Sequence, residues 1–68
     1  MMTKADEIRQ KIRKLAQEIE ATLERLAEQM RAGEFLEAAA TLADLRPLLK
    51  RKDGMVLELL EVYREAGK

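Results

Sequence analysis

The amino-acid sequence predicts an all-α protein: one domain over residues 1–68, built from three helices. Residues 5–15, 16–26 and 27–37 repeat one another at a spacing of eleven, and eleven residues make three turns close to the α-helical period. Hydrophobic residues make up 47% of the chain, but only Phe35 and Tyr63 are aromatic. The remaining apolar residues are Leu, Ile, Ala, Val and Met, a composition that favours helices over strands.

Helix 1 is predicted over residues 4–32. Thr3 can cap its first turn, and Asp6 stands in the position of a capping box. Gly33 should end the helix, because glycine adopts the left-handed C′ conformation without steric cost. The eleven-residue repeat places the apolar residues in one sector of about 120°. They are Ala5, Ile8, Ile12, Leu15, Ala16, Ile19, Leu23, Leu26, Ala27 and Met30.

Helix 2 is predicted over residues 34–52 and helix 3 over residues 55–66. Pro47 falls away from the apolar stripe of helix 2, which favours a kink on the exposed side. The alternative is a break, with one helix ending near Leu45 and Pro47 opening another. Asp53-Gly54 is a turn signal that should separate helix 2 from helix 3. The apolar stripe of helix 2 comprises Phe35, Ala38, Ala39, Leu42, Leu45 and Leu49.

Helices 1 and 2 are expected to pack as an antiparallel hairpin, with Phe35 near Met30 and Leu26 against Leu42. Helix 3, with two apolar stripes side by side, should contact two neighbours. The predicted hairpin core consists of Leu26, Met30, Phe35, Ala38, Leu42 and Leu45.

The turn between helices 1 and 2 resembles a tetratricopeptide hairpin in Gly33, Glu34, Phe35, Glu37 and Ala38. This resemblance covers about 20 residues and implies a helical hairpin that binds protein. The segment 26–49 is similarly like the C-terminal helical bundle of J-type co-chaperones of iron–sulfur assembly, which docks a protein client. The His-Pro-Asp signature of the J-domain is absent, so the resemblance does not imply the co-chaperone activity.

The residue types argue against an enzyme. Serine, cysteine and histidine do not occur in the sequence, which removes the usual nucleophiles, the usual general base and the common zinc ligands. Glu20, Glu24 and Glu28 share one face of helix 1, but such a row is more often a solvated flank than a cation site. No cofactor, metal site or catalytic residue is therefore predicted.

Nucleic acid and membrane are the other binding partners to weigh. The basic cluster Lys50, Arg51 and Lys52 is the best nucleic-acid candidate, although it also suits the C-terminal end of a helix dipole. Thirteen basic residues balance thirteen acidic ones, and no apolar run approaches the ~18 residues that span a bilayer. The sequence thus argues against a membrane partner, and a nucleic-acid-binding regulator is kept as the alternative function.

Oligomerisation follows from the predicted helix lengths. Helix 2 should reach back only to about Leu15, and the turn at Asp53-Gly54 would then send helix 3 away from the start of helix 1. A helix 3 that continued along helix 1 would instead cover that region. The predicted interface for a partner consists of Ile8, Ile12, Leu15 and Ile19.

The charges of helix 1 favour an antiparallel partner. Lys4 to Lys14 carries five basic and two acidic residues, whereas Leu15 to Glu28 carries one basic and four acidic. Two antiparallel copies would set opposite charges side by side. The sequence therefore predicts a cytoplasmic protein–protein interaction module, with a second copy or another helical protein as partner.

Overall fold

The computed structural model describes residues 3–67, which form two antiparallel α-helices joined by a short turn. Helix α1 spans Lys4–Arg31 and helix α2 spans Phe35–Ala66. The predicted all-α class and the helical hairpin are confirmed. The predicted third helix is wrong, because α2 continues through both of the ranges assigned to helices 2 and 3. The hairpin is a rod with principal extents of 52 × 19 × 13 Å.

Local hydrogen bonds define both ends of α1. The Asp6 backbone N–H donates to Thr3 Oγ1 at 3.2 Å, and the Thr3 backbone N–H donates to Asp6 Oδ2 at 3.4 Å, which completes the predicted capping box. At the other end Gly33 has a φ of 75°. The Gly33 N–H donates to the Met30 carbonyl and the Glu34 N–H to the Gln29 carbonyl. These two bonds make a Schellman motif, which turns the chain into α2.

The two helices pack along positions spaced alternately three and four residues apart. A mean spacing of 3.5 is the period of a left-handed coiled coil, and it keeps one seam of each helix facing the other. On α2 every residue that is not exposed belongs to this seam, and on α1 only Asp6 lies outside it. The seam residues are Ala5, Ile8, Ile12, Leu15, Ile19, Thr22, Leu26 and Gln29 on α1, and Ala38, Thr41, Leu45, Leu48, Lys52, Met55, Leu59 and Val62 on α2.

This seam explains why α2 passes through Pro47 and Gly54 without ending. Both residues are exposed on the side of α2 away from α1. An internal Pro costs about 3 kcal/mol and an internal Gly about 1 kcal/mol. Continuing the helix buries Ile8, half-buries Ile12 and adds three half-buried apolar residues of α2 to the seam. Full burial of one side chain of this size contributes about 1.5–3 kcal/mol, so together these residues offset the cost. The alternative of a break at Pro47 is wrong, and so is the turn predicted at Asp53-Gly54.

The predicted eleven-residue stripe is only partly the contact surface. Its members Ala16, Leu23, Ala27 and Met30 are exposed, whereas Thr22 and Gln29, which lie outside the stripe, occupy seam positions. The predicted hairpin core divides in the same way. Ala38 and Leu45 are buried and Leu26 is half-buried, but Met30, Phe35 and Leu42 are exposed.

Candidate protein-binding surface

The hairpin has two broad sides, one apolar and one charged. On each helix, the apolar side is formed by the residues that come one position after alternate seam residues. On α2 these residues are large and apolar at strict intervals of seven, with exposed fractions between 37% and 63%. They are Phe35, Leu42, Leu49, Val56 and Tyr63.

Helix α1 contributes Leu23 and Met30 to the same side, and α2 adds Leu60 beside Val56. In an antiparallel pair of helices, equivalent flanking positions of the two helices meet on one side of the seam. We call this surface the apolar side. Its large members are Leu23, Met30, Phe35, Leu42, Leu49, Val56, Leu60 and Tyr63.

Near the turn, several polar residues lie in the seam while several large apolar residues lie outside it. Thr22 and Thr41 are buried in the seam there. The Thr22 hydroxyl donates to the Glu18 carbonyl at 2.8 Å, and Thr41 Oγ1 lies 2.6 Å from Gln29 Oε1. Four large side chains of the same segment, Leu23, Met30, Phe35 and Leu42, are exposed on the apolar side. At this end the seam therefore holds polar residues at positions where an apolar side chain would be usual.

A cation–π contact lies at the end of the apolar side that is farthest from the turn. The guanidinium carbon of Arg9 lies 5.3 Å from the centroid of the Tyr63 ring. Arg9 also forms an ion pair with Asp6 at 3.1 Å. Because Arg9 stands on α1 and Tyr63 on α2, this contact also shows that the flanking positions of the two helices share one side.

The other broad side is charged. Lys11 and Glu18 of α1 line a shallow groove together with Arg51 of α2. The register that sets Glu18 beside Arg51 also sets Lys11 at the level of Glu58, so residues of opposite sign follow one another along this side. Such charges fix the orientation of the two helices more than they stabilise them.

The predicted partner interface lies inside the hairpin. Ile8, Leu15 and Ile19 are buried and Ile12 is half-buried. Leu15 and Ile19 form one apolar cluster with Leu45, and Leu48 and Met55 pack against it. The expectation that this stripe remains uncovered fails, because α2 continues to Ala66 and runs along the whole of α1.

The basic cluster does not form one surface. Lys50 and Arg51 are exposed, but Lys52 occupies a seam position and its Nζ lies 3.0 Å from Asp53 Oδ1. Consecutive helical residues are 100° apart, so the three side chains leave α2 in different directions. Their placement adds no support to the nucleic-acid alternative.

Within residues 3–67 no group of three or more acidic side chains is arranged to hold a metal ion. Neither helix of that range combines the length and the hydropathy that crossing a bilayer requires.

Comparisons of the chain with protein-family models, curated proteins and solved structures found no match. The tetratricopeptide and J-type resemblances therefore stay predictions. The apolar side was not predicted from the sequence. The large apolar residues at intervals of seven from Phe35 to Tyr63 are the pattern that could have indicated it.

Proposed function

We propose that this hairpin is a protein–protein interaction module that binds its partner through the apolar side. The observation that carries the proposal is the α2 row from Phe35 to Tyr63, five large apolar residues at intervals of seven on one exposed surface. Burying a side chain of that size is worth about 1.5–3 kcal/mol, so a partner that covered the row would gain considerable free energy.

The apolar core inside the hairpin is small. Among residues 3–67 only five hydrophobic residues are buried, and no side chain of that range is fully buried. The accessible surface is 5538 Å², whereas a compact folded monomer of this mass exposes roughly 4,400 Å². The radius of gyration is 15.7 Å, against about 11 Å for a compact domain of this length. A partner on the apolar side would cover the excess surface.

The polar seam residues near the turn support the same function. A sequence selected only for a stable hairpin would place Leu23 and Met30 in the seam and leave Thr22 and Gln29 in water. Departures of this kind from a locally consistent pattern are expected where a surface serves binding. The two aromatic residues, Phe35 and Tyr63, stand at opposite ends of the apolar row, and aromatic side chains are frequent anchors of interfaces.

Photocrosslinking tests the proposal. We would replace Phe35 with p-benzoylphenylalanine and express the chain in its native host, with Leu57 replaced in the same way as a matched control. Phe35 is 63% exposed and Leu57 is 62% exposed, but Leu57 lies on the outer edge of α2, away from the apolar side. We expect protein adducts from position 35 and few from position 57. No adduct from position 35, or equal adducts from both positions, would contradict the proposal.

A further inference from the structure

We infer that the occupant of the apolar side is a second copy of this chain, packed with its turn at the opposite end to give an antiparallel four-helix bundle. This inference rests on the proposed function, since it names the partner of the same surface. In this arrangement a two-fold axis passes through the middle of the interface, perpendicular to the helices and in the plane of the interface. As a result α1 faces α1 of the second copy and α2 faces its α2.

The dimensions of the apolar side suit a dimer interface. The broad outline of the rod is 52 × 19 Å, which offers roughly 1,000 Å². A stable protein–protein interface of standard size buries about 800 Å² on each partner. A second hairpin has the same length and the same width, so it can cover the whole row from Phe35 to Tyr63. A shorter segment would leave one of the two aromatic ends exposed.

The charges that border the apolar side on α1 are self-complementary. Arg13 and Glu20 are both exposed, one on each side of Ala16, in the row that flanks the apolar side. When two α1 helices lie antiparallel about their middle, Arg13 of each copy comes to the level of Glu20 of the other. The row thus offers two opposite-charge pairs per dimer.

The distribution of charge along the rod selects the same orientation. Residues 18–49, which surround the turn, carry seven acidic and three basic side chains. A dimer with both turns at one end would stack these two acidic segments. The antiparallel dimer instead sets each acidic segment on the open end of the other copy, where the first half of α1 is basic. Complementary charge of this kind determines orientation and register more than affinity.

Spin-label distances test the arrangement directly, and the absence of native cysteine makes single labelling simple. Arg31→Cys and Gln17→Cys both place a label on an exposed residue outside the apolar side. From the rise of 1.5 Å per residue, labels at position 31 should be about 40 Å or more apart in the antiparallel dimer. With both turns at one end they would be about 25 Å apart, the width of a four-helix bundle. Labels at position 17, near the middle, should be about 10–15 Å apart in the antiparallel dimer, where the two α1 helices are neighbours, and about 25 Å apart in the other orientation.

Charge reversal gives a second, independent test. Arg13→Glu alone sets two pairs of like charges in the antiparallel dimer and should weaken dimerisation roughly tenfold. The double variant Arg13→Glu/Glu20→Arg restores both pairs and should dimerise like the unmodified chain. In the other orientation α1 faces α2 of the second copy, so Arg13 and Glu20 would not pair with each other and the double variant would not restore the dimer.

Each outcome has one meaning. A dimer with a long distance at position 31 and with rescue by the double variant supports the inference. A dimer with a short distance at position 31 overturns the orientation. A chain that stays monomeric at several hundred micromolar overturns the second copy as occupant, and the photocrosslinks from Phe35 then decide separately whether the apolar side binds another protein.

Discussion

Thr41 on α2 and Gln29 on α1 form a polar contact across the hairpin, with Thr41 Oγ1 2.6 Å from Gln29 Oε1. The same hydroxyl oxygen lies 3.1 Å from the Glu37 carbonyl oxygen. Thr41 is buried and Gln29 is half-buried. This polar contact favours one register of the two helices, because a shift along the seam would leave the Gln29 amide without its partner.

We expect Thr41→Val to lower the free energy of unfolding by about 1–2 kcal/mol, since it leaves the Gln29 amide without its partner in the seam. The double variant Thr41→Val/Gln29→Leu removes both polar groups and should recover most of this loss. Urea denaturation of the two single variants and the double variant gives the coupling. Strictly additive effects would show that the two side chains do not interact.

The capping box makes the start of α1 sensitive to pH. The Thr3 side chain and, to a smaller extent, the Thr3 backbone N–H hold the pKa of Asp6 below its usual value of 3.8, and Arg9 adds to the effect. A carboxyl whose pKa is lower in the folded state stabilises the fold above its unfolded-state pKa. This contribution is lost as the pH falls through the lower, folded-state value.

We therefore expect an NMR titration of the Asp6 carboxyl to give a midpoint below 3.8. Thr3→Ala should move that midpoint up towards the usual value, because it removes the hydroxyl of the capping box. The same variant should destabilise α1 by about 1 kcal/mol at neutral pH. A midpoint at or above 3.8 in the unmodified chain would be inconsistent with the capping box.

Gly54 weakens the middle of α2 without serving a turn. It lies inside Phe35–Ala66, and a Cβ added there would meet no atom within 4 Å. Gly54→Ala should therefore raise the free energy of unfolding by about 0.5–1 kcal/mol. Gly33→Ala is the matched control, because Gly33 has a positive φ that a Cβ would strain. A stabilising Gly33→Ala or a destabilising Gly54→Ala would contradict these assignments.

The sequence was sufficient for the parts of the fold that local chemistry decides. Thr3 with Asp6 predicted the start of α1, and Gly33 predicted its end, since each acts through hydrogen bonds or a φ angle within its own turn. Pro47 was rightly assigned to the exposed side of a continuing helix. These signals need no information about the partner helix.

The parts decided by packing were not predictable in the same way. The eleven-residue stripe and the seven-residue seam differ mainly after Ile19, so one helix alone could not show which of them faces α2. The residues common to both are Ala5, Ile8, Ile12, Leu15, Ile19 and Leu26. The turn signal of Asp53-Gly54 was overridden because continuing α2 covers Ile8 and Ile12. Both errors led to a predicted partner interface made of residues that lie in the seam.

The seam position of Ile8 changes what its substitution should do. Ile8 is 4% exposed, so Ile8→Glu would bury a carboxylate without a partner. We expect the double variant Ile8→Glu/Ile12→Glu to lose helicity as measured by circular dichroism. Had these side chains formed only an interface between copies, the variant would stay helical and give a smaller species in sedimentation. Retained helicity would mean that α2 does not cover the start of α1.

Substitution of Phe35 best distinguishes an effect on the stability of the hairpin from an effect on binding. Replacing a buried Phe by Ala costs about 3–5 kcal/mol, which is the loss to expect if Phe35 occupied its predicted position in the hairpin core. Because its side chain is 63% exposed, we now expect Phe35→Ala to change the unfolding free energy of the monomer by less than about 1.5 kcal/mol. Leu45→Ala, at a position 4% exposed, is the core control and should cost about 2–5 kcal/mol.

On the proposed function, the same Phe35→Ala variant should weaken association, because it removes a large exposed aromatic ring at the turn end of the apolar side. Thermal unfolding over a range of protein concentrations measures both effects. At low concentration, where the chain is monomeric, the melting temperature should stay close to that of the unmodified chain. At high concentration the gap should widen, since the unmodified chain gains stability by mass action and the variant gains less. An equal loss at every concentration would place the ring in the hairpin core and not on a binding surface.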